Sequence, residues 1–361
     1  MSDMNRREFG VAALGALGVG AVTDRGPGSP SEREPFRASP KRDEREPRPV
    51  LEREPFRRAE QSRAYRYVHL DVFTDRRLQG NQLLVYVDPS GLDTDTMQTL
   101  TRESNYSENT FVLPPEQPGT NYRVRIFTRT AETPFAGHPT IGTAFALAHT
   151  GALKPGQART TFGLGVGPTN IDLEWKDGTL AFAWMTQQTP TFGKTIADAA
   201  ALAAAIGVDA ASIDGRAPAQ EVYSGSTFFI VPMTTRKAVD AAVLDRAKID
   251  AAFTAAGMQR RGLYIFTMER GQDDATAYSR LLGTSGIEDP ATGSAAGPAG
   301  AFMAKHGFVS GGSAGSIVFL QGVLARRPSR LHVRVDVAGG DVKGVKVGGA
   351  SVVVGDGTMT P

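Results

Sequence analysis

Pro134-Phe-Ala-Gly-His-Pro-Thr-Ile-Gly-Thr-Ala144, PFAGHPTIGTA, sets a histidine between a glycine and a proline, just ahead of a run that reads as helix. Proline suits a first helical turn, where its missing N–H has no partner to lose, and it pushes the residue before it out of helical geometry. His138 therefore marks a helix start, whatever else it does. Further on, Glu288-Asp-Pro-Ala-Thr-Gly-Ser-Ala295, EDPATGSA, repeats the same grammar: a titratable residue, then Pro-x-x-Gly, a small hydroxyl residue and Ala. Asp289 follows His138 by 151 residues. Thr110-Phe-Val-Leu-Pro114 is likewise echoed by Thr227-Phe-Phe-Ile-Val-Pro232. Two echoes in the same order predict two related halves, each presenting a helix N-terminus flanked by a polar side chain.

The 361 residues suffice for two domains of ordinary size, and 40% hydrophobic content is enough for real cores. The formal charge of +2 arises in the first 64 residues, and the remainder is formally neutral. Nucleic acid is therefore not expected as the partner, because phosphate binding needs a concentrated positive footprint. There is no cysteine, which excludes disulfides, thiolate nucleophiles and thiolate metal ligands. Neither G-x-G-x-x-G after a strand nor G-x-x-x-x-G-K-[S/T] occurs, so no nucleotide-binding loop is read.

Residues 1–23 read as a leader. Arg6 and Arg7 precede the uncharged, mostly apolar run Phe9–Val22, and Val19-Gly-Ala21 offers small residues for cleavage. The run is shorter than the ~20 residues a stable membrane span needs. The paired arginines with Phe9 two residues on resemble a twin-arginine export signal, with Asn5 where a hydroxyl residue is commoner. Export is the expectation, with retention in the cytoplasm as the alternative. Residues 24–64 read as a disordered linker: 20 of the 41 are charged and seven are proline. The linker carries its own repeat, EREPFR, at Glu32–Arg37 and Glu52–Arg57, to which a spacer role is assigned.

From Tyr65 the pattern becomes that of a strand-heavy α+β protein. Strands are expected over 66–74, 83–87, 121–127, 171–185, 227–231, 263–268, 331–337 and 351–354. Helices are expected over 93–103, 142–149, 196–206, 238–247 and 290–305, with Gly207 as a C-cap. His69 alternates with apolar neighbours and reads as a strand-face residue. Turn residues cluster at 187–194, which divides an N-terminal domain, 65–188, from a C-terminal one, 189–361, whose last strands are free to return to the first.

Two helix N-termini facing each other across a cleft supply N–H donors and positive dipole ends, a setting suited to a carboxylate ligand. Chemistry on such a ligand needs a proton carrier. The candidates are His138, Asp289 and Glu108, the last of which leads into the apolar run of Ser107-Glu-Asn-Thr-Phe111. A Glu desolvated there would have the raised pKa a general base or acid requires, while a solvent-facing strand start explains it equally well. Asp289 is also a preferred helix N-cap, and Glu288 reads as solvated.

PFAGHPTIGTA, SENTFVLPP, EDPATGSAAGP, the early DVFT with its later GN, and the closing RPS with VGGASVVVGDG occur here in the order found in the PhzF family of phenazine-biosynthesis-like isomerases. The resemblance spans about residues 67–358. It implies a fold similar to diaminopimelate epimerase: two pseudo-symmetric domains, each wrapping strands around a central helix, with the active site between them. The sister epimerases use a cysteine pair, which this chain lacks. The resemblance implies Glu108 as proton carrier, with His138 and Asp289 assisting. It places Asn81, Ser107, Gly137, Thr292, Gly293 and Ser294 on the substrate, and needs no cofactor or metal. The implied substrate is a small carboxylate such as trans-2,3-dihydro-3-hydroxyanthranilate, and the implied assembly is a homodimer. Gln82, Asn109 and Arg129 depart from the family pattern around these motifs. Besides this isomerase, two further readings are an epimerase with Glu108 and Asp289 as opposed bases, and an exported, non-catalytic binder of small acids.

Overall fold

The computed structural model describes residues 63–283 and 288–361. The leader and nearly all of the linker, with its EREPFR repeats, lie outside the described residues. In the first half the chain runs β1 (Tyr65–Val72), β2 (Asn81–Tyr86), α1 (Thr94–Ser104), β3 (Glu108–Leu113), β4 (Tyr122–Thr128), β5 (Glu132–Thr133), α2 (Gly137–His149), β6 (Arg159–Leu164), β7 (Gly167–Lys176) and β8 (Thr179–Thr186). The second half continues with β9 (Thr191–Ile196), α3 (Ala199–Ala205), β10 (Ala219–Tyr223), β11 (Thr227–Met233), α4 (Arg236–Ala241), α5 (Arg246–Ala255), β12 (Gly262–Thr267), β13 (Ala277–Leu282) and α6 (Gly293–Lys305). It closes with β14 (Ile317–Gln321), β15 (Ser329–Ala338), β16 (Asp341–Gly349) and β17 (Ser351–Met359).

The strands form one continuous sheet of 17 strands that wraps twice, and β16 belongs to both wraps. In one, β17 pairs antiparallel with β1, which pairs with β2; the ladder then passes through β3, β4, β6, β7 and β8 to β16. In the other, β16 leads through β15, β14, β13, β12, β11 and β10 to β9. Helix α2 fills the first wrap, touching β1, β2, β3, β8, β16 and β17, and α6 fills the second. Both central helices are buried on nearly every side, so a one-sided apolar stripe would not serve; each is instead built largely from Ala and Gly, with Thr added in α2, and a few large apolar residues. The small residues let strands come close. A Cβ at Gly142 would fall on the side chains of Leu83 and Val72.

Two helices depart from the sequence-based expectation. The helix expected from residue 142 begins at Gly137, with Ala136 as N-cap, so His138 and Pro139 lie inside the first turn. Proline is tolerated there because the first N–H groups of a helix have no intrahelical acceptor. The helix expected over 238–247 is two helices, broken where the Asp245 carboxylate accepts from the N–H groups of Ala247 and Lys248 and restarts the chain as α5. Ile206 is the C-cap of α3, and Gly207 follows it with φ +69°.

Candidate active site

The N-termini of α2 and α6 meet backbone to backbone. A Cβ on Gly137 would overlap Gly293 and the Ser294 nitrogen, so only glycine permits this approach. Around the junction the strand ends deliver side chains. Glu108 opens β3 beside it, and Asn81 opens β2, opposite Val72 in the β1–β2 ladder.

The Glu108 Oε2 atom lies 3.3 Å from Nδ1 of His138. Asn81 ties the halves together: its Nδ2 donates to Asp289 Oδ1 at 2.8 Å and to the Ala291 carbonyl at 2.9 Å, and lies 3.2 Å from His138 Nδ1. An amide NH2 has two hydrogens, so the two shorter contacts claim them and the histidine contact is the weak one. Ser107 Oγ reaches Asn81 Oδ1 at 3.4 Å. Asp289 is not the helix N-cap; that position is Thr292, whose hydroxyl donates to Asp289 Oδ2 at 2.6 Å. The structure thus gathers Glu108, His138, Asp289, Asn81, Ser107, Thr292, Gly137 and Gly293 into one cluster. Ser294 enters it through its backbone nitrogen, packed against Gly137.

Burial sets the charges. It raises the Glu108 carboxyl to about 8, with a smaller push from the Asp289 charge. It raises Asp289 to about 6, against the hydrogen bonds from Thr292 and Asn81 that favour the anion. Burial also drives the His138 imidazolium down to about 3. At neutral pH Glu108 therefore holds its proton, His138 is neutral and Asp289 is largely ionised. With both groups neutral, the 3.3 Å contact between Glu108 and His138 is not an ion pair. The opposite ring nitrogen, Nε2, is buried without a hydrogen-bond partner among the described residues.

Several supports were not anticipated from sequence. Gln321, fully buried at the end of β14, accepts from the Thr292 N–H at 3.1 Å and donates to the Asp289 carbonyl and to Thr292 Oγ1, both at 2.9 Å. The only sequence signal is a lone amide ending the apolar run Ile317–Leu320. Gln187 donates to the Gly293 carbonyl at 3.0 Å, in space that a side chain at position 297 would take. Glu288, expected to be solvated, is instead gripped at 2.9 and 3.0 Å by Arg280, whose Nη1 also donates to the Val239, Asp240 and Ala242 carbonyls at the end of α4. Asn109 is buried with its amide on Ser104 Oγ, on the strand face opposite Glu108, so this departure from the family pattern fastens α1 rather than lining the cluster. His69 lies in β1 and stacks on Tyr106 with centroids 5.3 Å apart.

Gln321→Leu is expected to leave the Thr292 N–H and Asp289 carbonyl unpaired, costing about 2–6 kcal/mol at ~1–3 kcal/mol per orphaned group. Denaturant unfolding checks this; an unchanged midpoint would show that Gln321 is not holding the turn.

Two helices meeting N-terminus to N-terminus, each wrapped by its own strands, define the α+β fold class typified by diaminopimelate epimerase. Within it, the chain belongs to the phenazine biosynthesis-like PhzC-PhzF family, whose model matches residues 70–357. It is 35% identical over 300 residues to the trans-2,3-dihydro-3-hydroxyanthranilate isomerase of Pseudomonas aeruginosa, covering 81% of this chain and 98% of that one. Its fold matches the crystal structure of a Bacillus anthracis PhzF-family protein with a TM-score of 0.72 at 23% identity, over 82% of this chain and 99% of the other. A hydroxyproline epimerase from Agrobacterium vitis shares the fold at a TM-score of 0.59 and 13% identity, over 82% and 92% of the two chains. The chain is an isomerase of the PhzF type.

Proposed function

We propose that this isomerase moves a proton across an allylic system of a small cyclic carboxylate, a substrate resembling trans-2,3-dihydro-3-hydroxyanthranilate, with Glu108 as base and then acid and with no cofactor. One observation carries the reading: a buried carboxyl raised to about 8 sits 3.3 Å from a neutral histidine where the two helix N-termini meet. A carboxyl poised near neutrality both takes and returns a proton, which a solvated Glu would do less well. In the cycle, ionised Glu108 takes the proton from one ring carbon, the double bond migrates, and the same carboxyl delivers the proton to the far end of the allyl system. His138 orients Glu108. Asp289, held on both oxygens by Asn81 and Thr292, orients the substrate's polar groups. The first-turn N–H groups at Gly137, Gly293 and Ser294 receive the substrate carboxylate. The dihydro-hydroxyanthranilate named for the relatives is the first substrate to offer, in deuterated water. Isomerised product that retains part of its original hydrogen is expected. Product labelled in full at the new C–H would replace the single shuttle with two opposed bases, and binding without turnover would remove the reading.

We also propose that residues 1–23 direct export by the twin-arginine route and that the enzyme assembles as a homodimer, on the motif order and the family resemblance. Changing Arg6 and Arg7 together to Lys is expected to trap the protein in the cytoplasm, read by cell fractionation. Periplasmic protein at parental level in that variant would discard the leader.

A further inference from the structure

A second cleft of about 450 Å³ lies apart from the carboxylate cluster, within the size range of small-molecule sites. Both halves build it: Phe73, Arg76, Gln79 and Phe182 come from the first, and Arg330 and His332 from the second. Aromatic side chains line it. His332 meets Phe182 edge to face at 5.1 Å, and Phe182 leans on Trp184 at 4.9 Å. Arg76 and Arg330 are both exposed, and neither guanidinium pairs with a carboxylate among the described residues. Arg330 donates to the main-chain oxygen of Asp273, while the Asp273 carboxylate, also in the lining, is taken on both oxygens by Arg236. Asp75, exposed in the same lining, is the one acidic group there without a cation on it among the described residues.

Phe73 is the most deeply buried aromatic side chain in the lining. Phe73 is buried at φ +64°, a conformation that costs a bulky residue energy and that persists only where surrounding structure imposes it. Here its N–H donates to the Ala350 carbonyl at 2.9 Å and its carbonyl accepts from the Arg330 N–H at 2.8 Å. The ring also reaches Gly293, where an added Cβ would come within 2.7 Å of its Cζ. The cleft and the helix junction therefore share Phe73.

We propose that this cleft is a second small-molecule site, which takes a planar aromatic carboxylate with its ring against Phe182 and His332 and its carboxylate on Arg76 and Arg330. An aromatic lining with two guanidinium groups that no carboxylate holds among the described residues matches a planar aromatic acid better than a tetrahedral anion, since its ring packs on aromatic side chains while its carboxylate meets a guanidinium fork in the plane of both. The inference stands on the cleft's own residues and does not depend on which proton Glu108 moves.

The test titrates benzoate into the full chain carrying Trp175→Phe, so that Trp184 is the one tryptophan reporting. A saturable change in emission is expected by about 10 mM. Combining Arg76→Glu with Arg330→Glu is expected to weaken it at least tenfold, about 1.4 kcal/mol. Both arginine side chains are exposed, and thermal melting checks that the double variant folds like its parent. No saturable response over that range would overturn the proposal. So would a response that survives the double arginine change, because the probe would then sit elsewhere.

Discussion

Glu108→Gln is expected to lower kcat on the isomerised substrate by about a thousandfold, within the range that removal of a general acid–base group spans, while the substrate still binds. The amide keeps the shape of the carboxyl and its place at the head of β3 but carries no transferable proton. The same change has an opposite, stabilising effect that tests the physical premise. In the unfolded chain the group ionises near 4.5, and in the fold it holds its proton to about 8. Between those values the folded state binds a proton that the unfolded state has released, so wild-type stability falls as pH rises through the window and levels off above it. Gln does not titrate. The melting temperature of the variant should therefore draw ahead of the wild type from about pH 5 to pH 8 and then run parallel, the full gap amounting to a few kcal/mol at ~1.4 kcal/mol per pH unit. In the same window wild-type kcat/KM should rise, because the free enzyme must ionise Glu108 before it can take a proton. A melting gap that stays flat from pH 5 to 9 would mean that Glu108 ionises as an ordinary carboxyl, and the base assignment would fall with it.

Gly137→Ala is the second change expected to matter most, although it adds only one methyl group. That methyl would land on the backbone of Gly293 and Ser294, which no rotamer change can move aside. The two helix starts must separate, at an overpacking cost of about 1–3 kcal/mol. Separation also pulls Asp289 and Thr292 away from Glu108 and His138, and a shift of ~1 Å in a reacting constellation can cost a hundredfold in rate. Gly215→Ala is the control, since nothing lies within 4 Å of the added Cβ. Parental melting and turnover in Gly137→Ala would show that the junction is slack and that its geometry does not set the rate.

How much of this was legible beforehand divides along a physical line. The repeated Pro-x-x-Gly-[Ser/Thr]-Ala grammar is local, and it pointed to both central helices and to the polar residues at their starts. Gly137 and Gly293 were legible as residues of those motifs, but their contact was not, because it depends on how two distant segments meet. Gln321 and Arg280 escaped for the same reason: nothing near residue 321 announces Thr292, and nothing near 280 announces the carbonyls that end α4. The reading of Glu288 as solvated failed on its partner rather than on its own chemistry. The α4–α5 break was more accessible. Asp245 stood in a run of good helix formers, and its competing preference for a cap position was underweighted.

The ladder between β1 and β17, pairing Tyr65 with Met359 and Val72 with Ser351, bears on the timing of folding. The first described strand has β2 on one flank, but its other flank stays bare until residues 351–359 have left the ribosome. The wrap around α2 likewise waits for β16. A growing chain therefore cannot complete its first half early and add the second afterwards, and each ribosome carries an open strand edge until residues 351–359 are made. Such a protein is expected to lean on chaperones during synthesis and to fold in one late, slow step dominated by contacts distant in sequence.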